Sequence, residues 1–223
     1  MKALVIDTAA TCIYIAAKND INTVTLRLNI GMKQAEKLLP AIDYVMAQAE
    51  LKADELNYMA LTTGPGSFTG LRLGMSALKA INLAHNVPVY GIQTLDAYAH
   101  FCSDSINPVI SVIDAKKDRF YGAIYSHGNR ICEPFDEEPE DIRRHLNVED
   151  SFFVTGPDAE LFCSIMSELL PATSFICDKN RNVTTDALFE IAEEMINKNE
   201  PPLQDYDGPF YIRKSEAEEK LAK

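Results

Sequence analysis

Met1-Lys2-Ala3-Leu4-Val5-Ile6-Asp7 opens the chain, and Val109-Ile110-Ser111-Val112-Ile113-Asp114 returns about halfway along it. Each is an apolar run ending on an aspartate, the pattern of a strand buried on both faces. The offset that carries Asp7 onto Asp114 also carries Tyr14 onto Tyr121 and Ala16 onto Ala123. A second phrase, Thr63-Gly64-Pro65, recurs as Thr155-Gly156-Pro157, each time at a predicted strand-to-helix junction. Their common order and setting point to an internal duplication.

Working outward, the pattern predicts strands at 3–8, 12–17 and 22–29, then a helix at 34–49 whose first turns Pro40 should weaken unless it sits near the helix start. A strand at 58–63, a long helix at 68–85, a strand at 87–92 and a helix at 94–102 complete the first half. The second half predicts strands at 109–114, 119–126 and 129–133, a helix at 139–146, a strand at 152–155, a helix at 158–169, a strand at 173–177 and a helix at 184–198. Two copies of a three-strand meander followed by helix, strand and helix describe a duplicated ribonuclease-H-like α/β fold, as in the actin-like ATPases. The expected organisation is a lobe at 1–104, a second at 105–200, and an extended segment with a short charged helix at 201–223.

A chain of 223 residues, 47% hydrophobic and 24% charged, buries a core without disulfides or metal. Its net charge of −12 makes it a poor nucleic-acid binder by itself, because such binding rests on Lys and Arg neutralising phosphates. The five cysteines are never spaced CxxC, which suggests thiols in a reducing compartment, and no run suits a membrane span or a cleaved leader. A cytoplasmic location is expected.

Actin-fold ATPases grip phosphate with two strand-turn-strand loops in which an Asp lies beside glycines. Here the loops read Asp7-Thr8-Ala9-Ala10-Thr11 and Asp114-Ala115-Lys116-Lys117-Asp118, without glycine. A β-carbon at every position disfavours positive φ and crowds a phosphate. Both aspartates are therefore expected to tie down their own loops. Gly64-Pro65-Gly66-Ser67-Phe68-Thr69-Gly70 lacks the Gly-Lys-Ser/Thr ending of a P-loop. It reads equally as a tight turn capped by Ser67 or Thr69 and as an anion contact at a helix start. The four histidines have no HxxxH or HExxH spacing, there is no Gly-x-Ser-x-Gly elbow, and the acidic stretch 133–141 reads as a solvated loop.

The long helix carries Leu71, Leu73, Met75, Leu78, Ile81 and Leu83 around its axis, leaving Arg72, Ser76 and Lys79 as a narrow polar stripe. Such a helix must be covered on more than one side, by its own chain or by another subunit.

MKALVIDTA, TTGPGSFTGLRLG at 62–74, VIDAKKDRFYGAIY at 112–125 and PFYIRKSEAE at 209–218 closely resemble the bacterial TsaB (YeaZ) family. The resemblance runs from end to end and implies the duplicated actin-like fold. It also implies a noncatalytic role: TsaB proteins support TsaD in making threonylcarbamoyl-adenosine beside the tRNA anticodon, with TsaC supplying the donor and TsaE as a small ATPase. TsaD holds its metal with a His-Met-Glu-Gly-His phrase, and Thr94 and Tyr98 stand at the two histidine positions here, so no metal and no tightly bound cofactor are expected. Many relatives carry His where this chain has Gln34.

By the same resemblance, helices 34–49 and 68–85 should form the TsaD docking face through Leu39, Asp43, Met46, Leu71, Arg72, Met75, Ser76 and Lys79, with Met75 at its rim. The same face could pair two copies of the chain. Asp7, Thr8, Gly64, Gly66, Ser67 and Asp114 would be vestigial nucleotide loops, with ATP or ADP expected only at the TsaD interface and tRNA reached only through the complex. The alternatives are a stand-alone actin-fold ATPase or kinase, or the glycoprotease-like peptidase of older family labels.

Overall fold

A computed structural model describes residues 1–147, 150–178 and 184–213. The chain folds as two α/β units. The first begins with β1 (Ala3–Asp7), β2 (Ile13–Lys18) and β3 (Thr23–Leu28), an antiparallel meander. Then come α1 (Gln34–Gln48), β4 (Tyr58–Gly64), α2 (Phe68–His85), β5 (Val89–Gln93) and α3 (Thr94–Ala99). Parallel pairing of β4 with β1 and of β5 with β4 gives the sheet order β3-β2-β1-β4-β5.

β1 is fully buried because both sheet faces are covered, and alternation of its side chains sends them into different cores. Leu4 and Ile6 pack with Leu38, Ile42, Val45, Met75 and Leu78 of α1 and α2. Ala3 and Val5, with Ala16, Ala60, Tyr58 and Tyr90, pack with Leu188, Phe189 and Ala192 of α6 (Thr184–Asn197). Alanines on that face let α6 lie close to the sheet. Tyr58 donates to Glu193 at 2.9 Å, and Lys18 pairs with the same carboxylate at 2.6 Å.

This placement corrects the expected lobes. The helix at 184–198 and the segment up to Phe210 belong to the first unit, so that unit is assembled from two stretches of chain. Tyr211–Arg213 belong to the second unit, and the charged end expected beyond them lies outside the described residues. Pro40 sits inside α1, two turns from its start, and is exposed.

The second unit repeats the plan. β6 (Val109–Lys116) and β7 (Arg119–Ser126) pair antiparallel, and β7 also pairs with the short β8 (Asn129–Arg130) and with β9 (Phe135–Glu137). After α4 (Pro139–Ile142) come β10 (Ser151–Thr155), α5 (Ala159–Leu169) and β11 (Ser174–Cys177), giving the order β11-β10-β6-β7-β8. That is the first sheet's order read in reverse, and the duplication stands on it.

Two sequence signposts slip, however. Asp7 faces Tyr14, whereas Asp114 faces Phe120 rather than Tyr121, because the second turn is shorter by one residue. Thr155 lies beside Ser111, the counterpart of Leu4, whose own neighbour is Met59 rather than Thr63. The two Thr-Gly-Pro phrases thus share a junction but not a level in the sheet. The acidic stretch 133–141 is also corrected. It contributes strand β9 and the first turn of α4, and Asp136 is one-tenth exposed because Arg119 and Arg213 close over it.

Candidate functional site

The β1–β2 loop and the glycine phrase meet in a tight seam. Asp7, wholly buried, accepts at Oδ1 from the Ala9 amide and the Thr62 hydroxyl, both at 2.9 Å. Its Oδ2 accepts from Thr184 at 2.7 Å. The Ser67 amide donates to the Ala9 carbonyl at 2.7 Å, and the Ser67 hydroxyl accepts from the Gly70 amide at 3.2 Å, capping α2.

A β-carbon on Gly66 would stand 2.5 Å from the Ala9 carbonyl oxygen, and one on Gly74 would stand 2.5 Å from the Thr8 hydroxyl oxygen. One on Gly70 would collide with the Thr8 carbonyl. The glycines therefore let α2 press onto the loop backbone, filling the space where a phosphate would need room. Gly64, at φ 125°, packs against the Phe210 carbonyl, and its amide donates to the Thr94 hydroxyl at 3.1 Å. Gln34 donates to the Ala10 and Thr11 carbonyls at 3.3 and 3.1 Å, fastening the start of α1 to the same loop.

In the second unit Asp114 accepts from its own loop, at 2.7 Å from the Lys116 amide and 2.6 Å from the Lys116 ammonium. Its amide donates to Asp158 at 2.8 Å. Burial pushes the Asp158 carboxyl up, against the pull of that amide. The expected aversion to positive φ is overruled: Lys116, Lys117 and Asp118 stand at φ 60°, 58° and 58°. The side chain of Asp114 closes the turn that forces this, at a register shift between Asp114 and Lys116.

Nearby, Asp136 takes Arg213 at 2.6 and 2.7 Å and Arg119 at 2.9 Å, and Arg213 also reaches the Ala115 carbonyl at 3.3 Å. Burial alone would raise the Asp136 carboxyl, but the two guanidiniums outweigh it and hold it below the usual range. Sequence reasoning missed this clasp, although an Arg in the PFYIR phrase facing an acidic stretch was the available signal. A cleft of about 600 Å³ beside it is lined by Cys132, Phe135, His145 and Arg213 among others. There burial pushes the Cys132 thiol up, and His145 is 2.9 Å from Glu137 and stacked on Phe135. Among the described residues no cluster of three or more His, Cys, Asp or Glu could hold a metal, and no helix is long and apolar enough to cross a membrane.

The expected docking residues divide. Met46, Leu71 and Met75 are buried in their own unit, Met75 at 5% exposure, so its placement at a partner's rim is corrected. The chain's own α1 and sheet cover Met75 and Leu78 of that apolar helix, while its Leu83 stays exposed. Leu39, Asp43, Arg72 and Ser76 are exposed. Lys79 instead turns its ammonium to the carbonyls of Gln204, Asp205 and Asp207, at 3.0, 2.8 and 2.5 Å. Tyr44, which sequence reasoning passed over, is 53% exposed on α1, where Leu39 is 57% exposed, and Leu83 on α2 reaches 89%.

A family model described as TsaD, tRNA N6-adenosine threonylcarbamoyltransferase, matches residues 31–157, more than half of the chain. The tRNA threonylcarbamoyladenosine biosynthesis protein TsaB of Escherichia coli (strain K12) is 25% identical, covering 99% of this chain and 98% of its own. Uncharacterized proteins of Mycobacterium leprae and Mycobacterium tuberculosis are 33% and 34% identical over 62% and 59% of this chain, and the matches span only 39% and 62% of those relatives. A Pseudomonas aeruginosa structure, described as similar to peptidase YEAZ, aligns at TM-score 0.79 and 20% identity over 95% of this chain and 99% of its own. A Bacteroides thetaiotaomicron protein with actin-like ATPase fold aligns at 0.51 and 12% identity over 85% of this chain and 95% of its own. These structural likenesses carry the fold: a duplicated, two-unit actin-like architecture.

Proposed function

Because this chain belongs to the TsaB (YeaZ) family, within the wider one that the TsaD model describes, we propose that it is a noncatalytic subunit of tRNA threonylcarbamoyladenosine biosynthesis. In this reading it binds and stabilises TsaD, which transfers the threonylcarbamoyl group to the adenosine beside the anticodon. The carrying observation is the contrast between its two kinds of surface. α1 and α2, which pack on each other, hold out Leu39 and Tyr44, each more than half exposed, and Leu83, which is 89% exposed. The loops that would do chemistry are filled instead. Asp7 is saturated from within, glycines of the phrase are closed against Thr8 and Ala9, and Thr94 holds the Gly64 amide.

Exposed apolar side chains on two adjoining helices suit a partner's helices. In the free protein the same face can pair two copies. TsaE joins as a further component, ATP or ADP binds only where TsaD completes a site, and tRNA is reached through the complex. Asp7, which accepts from Ala9, Thr62 and Thr184, is held by its own chain, and this favours the noncatalytic reading over a stand-alone ATPase.

A binding titration with TsaD from the same source is the test. The parent should bind, and Leu83→Glu should fold normally yet lose at least about tenfold in affinity, the effect of a charge set into a desolvated contact. No binding by the parent refutes the proposal.

A further inference from the structure

The stretch after α6 is pinned to the first unit along its length. Leu203 donates its amide to the Val89 carbonyl at 2.8 Å, its side chain packs on the core beneath α1 and α2, and Phe210 donates to the Thr63 carbonyl at 2.7 Å. Between them Gln204–Asp207 closes into a turn. The Asp207 amide donates to the Gln204 carbonyl at 3.0 Å, and the Gln204 amide donates to the Asp207 carboxylate at 2.7 Å. Lys79 of α2 clamps it: the ammonium has three N–H donors, and it meets the carbonyls of Gln204, Asp205 and Asp207. From this fixed turn Tyr206 projects, 101% exposed. Of the chain's nine tyrosines only Tyr44, on α1, and Tyr206 are exposed.

We propose that the Asp205-Tyr206-Asp207 turn is a second anchor for TsaD, continuing the α1–α2 docking face, and that Tyr206 enters an apolar pocket of the partner rimmed by Lys or Arg. The inference rests on the TsaD reading above and adds the chemistry that the partner presents. Continuity comes from Lys79. Arg72, Ser76, Lys79 and Leu83 follow one another at helical spacings of three and four, so the clamp and the exposed Leu83 share one face of α2.

Charge selects the occupant. Two exposed aspartates flank Tyr206, while Lys79 turns its charge onto carbonyls, so the turn is acidic on an acidic chain. A second copy, also at −12, would bring like charge to it, whereas a basic rim is steered toward it. A tyrosine fits such a pocket because its ring is apolar and its hydroxyl is wet. The clamp orders the turn before binding, which spares the complex that entropy and suits Tyr206 to carry a large share of the affinity. Lys79, expected from the sequence as a docking residue, thus acts as a positioning residue for its neighbour.

The test is a binding titration of the full chain with TsaD from the same source, joined to association kinetics. Tyr206→Ala should keep the parent's circular dichroism and Tm, because the ring is fully exposed, and lose at least about tenfold in affinity. Asp205→Asn should slow association and weaken its salt dependence with little change in dissociation. Tyr206→Ala should cost less in a Lys79→Met background than in the parent, since an unclamped turn no longer presents the ring. If the parent fails to bind TsaD, the reading beneath falls and the anchor with it. If the parent binds and Tyr206→Ala binds as tightly, the anchor alone is overturned. Tyr206→Ala that weakens pairing of two copies in sedimentation while TsaD binding stays intact overturns it as well.

Discussion

Replacing Gly70 with alanine separates the two readings of the glycine phrase. In α2 this change favours the helix by up to about 1 kcal/mol, since glycine is the poorer helix former. Against that, the new β-carbon meets the Thr8 carbonyl oxygen well inside normal contact, the Thr8 carbonyl carbon at 3.2 Å and the Ser67 β-carbon at 3.4 Å. The loop cannot easily retreat, because the next residue is held by Ser67 at its carbonyl, at 2.7 Å, and by Asp7 at its amide, at 2.9 Å. Forcing a carbon into a close-packed seam costs about 1–3 kcal/mol, and more where the obstacle is backbone. The net expectation is a loss of about 1–3 kcal/mol, with Tm falling about 2–4 °C per kcal/mol for a chain of this size. Chemical unfolding of Gly70→Ala beside Gly208→Ala measures it. A β-carbon at Gly208 meets nothing within 4 Å, so that variant should stay within about 0.5 kcal/mol of the parent. A Gly70→Ala protein as stable as the parent, or more so, would refute the seam and return the phrase to a ligand-binding role.

Met75→Glu should fail to fold by circular dichroism, because an unpaired charge in this core costs about 3–5 kcal/mol, whereas Leu83→Glu should keep the parent's spectrum. Asp136→Asn removes the carboxylate between Arg119 and Arg213. Because the native carboxyl titrates below its unfolded value of about 3.9, its stabilisation is full above that pH and fades as pH falls through the native value. The Tm gap between parent and Asp136→Asn should therefore shrink on acidification, and a constant or widening gap refutes it. Lys79→Met should speed hydrogen exchange across residues 204–207 with α1 and the first sheet unaffected; unchanged exchange there would show that the ammonium holds nothing. Filter binding at about 0.15 M salt, near physiological ionic strength, should find only weak tRNA affinity for this chain alone, given its charge of −12, and sub-micromolar binding would contradict that.

The strand order was legible because each half opens on a both-sides-buried run, and Val5-Ile6-Asp7 and Val112-Ile113-Asp114 do take equivalent places in their sheets. What hid was long-range. Nothing local in residues 184–197 says whether their apolar face will lie on the first sheet or the second. The answer depends on Ala3, Ala16 and Ala60 leaving room for it more than a hundred residues earlier. Met75 was misplaced for a related reason. Periodicity revealed that α2 needed cover on several sides, but not that α1 and the chain's own sheet supply it at Met75. The Arg213 clasp was illegible because an acidic run looks solvated until an arginine far along the chain folds back to it.

The split construction of the first unit also sets an order of events during synthesis. Residues 1–97 leave the ribosome first, yet the sheet face bearing Val5, Tyr58 and Tyr90 waits bare until α6 follows. The second unit's strands and helices emerge in the meantime, complete enough to close on themselves. At about 5–20 residues per second, the unfinished sheet stays open for several seconds, a sticky intermediate that a chaperone can hold. Gene fragments cut after the first ninety-odd codons would strand the chain at that stage. The first sheet thus waits on a helix made nearly ninety residues later, and the Thr184–Asp7 bond is among its closing contacts.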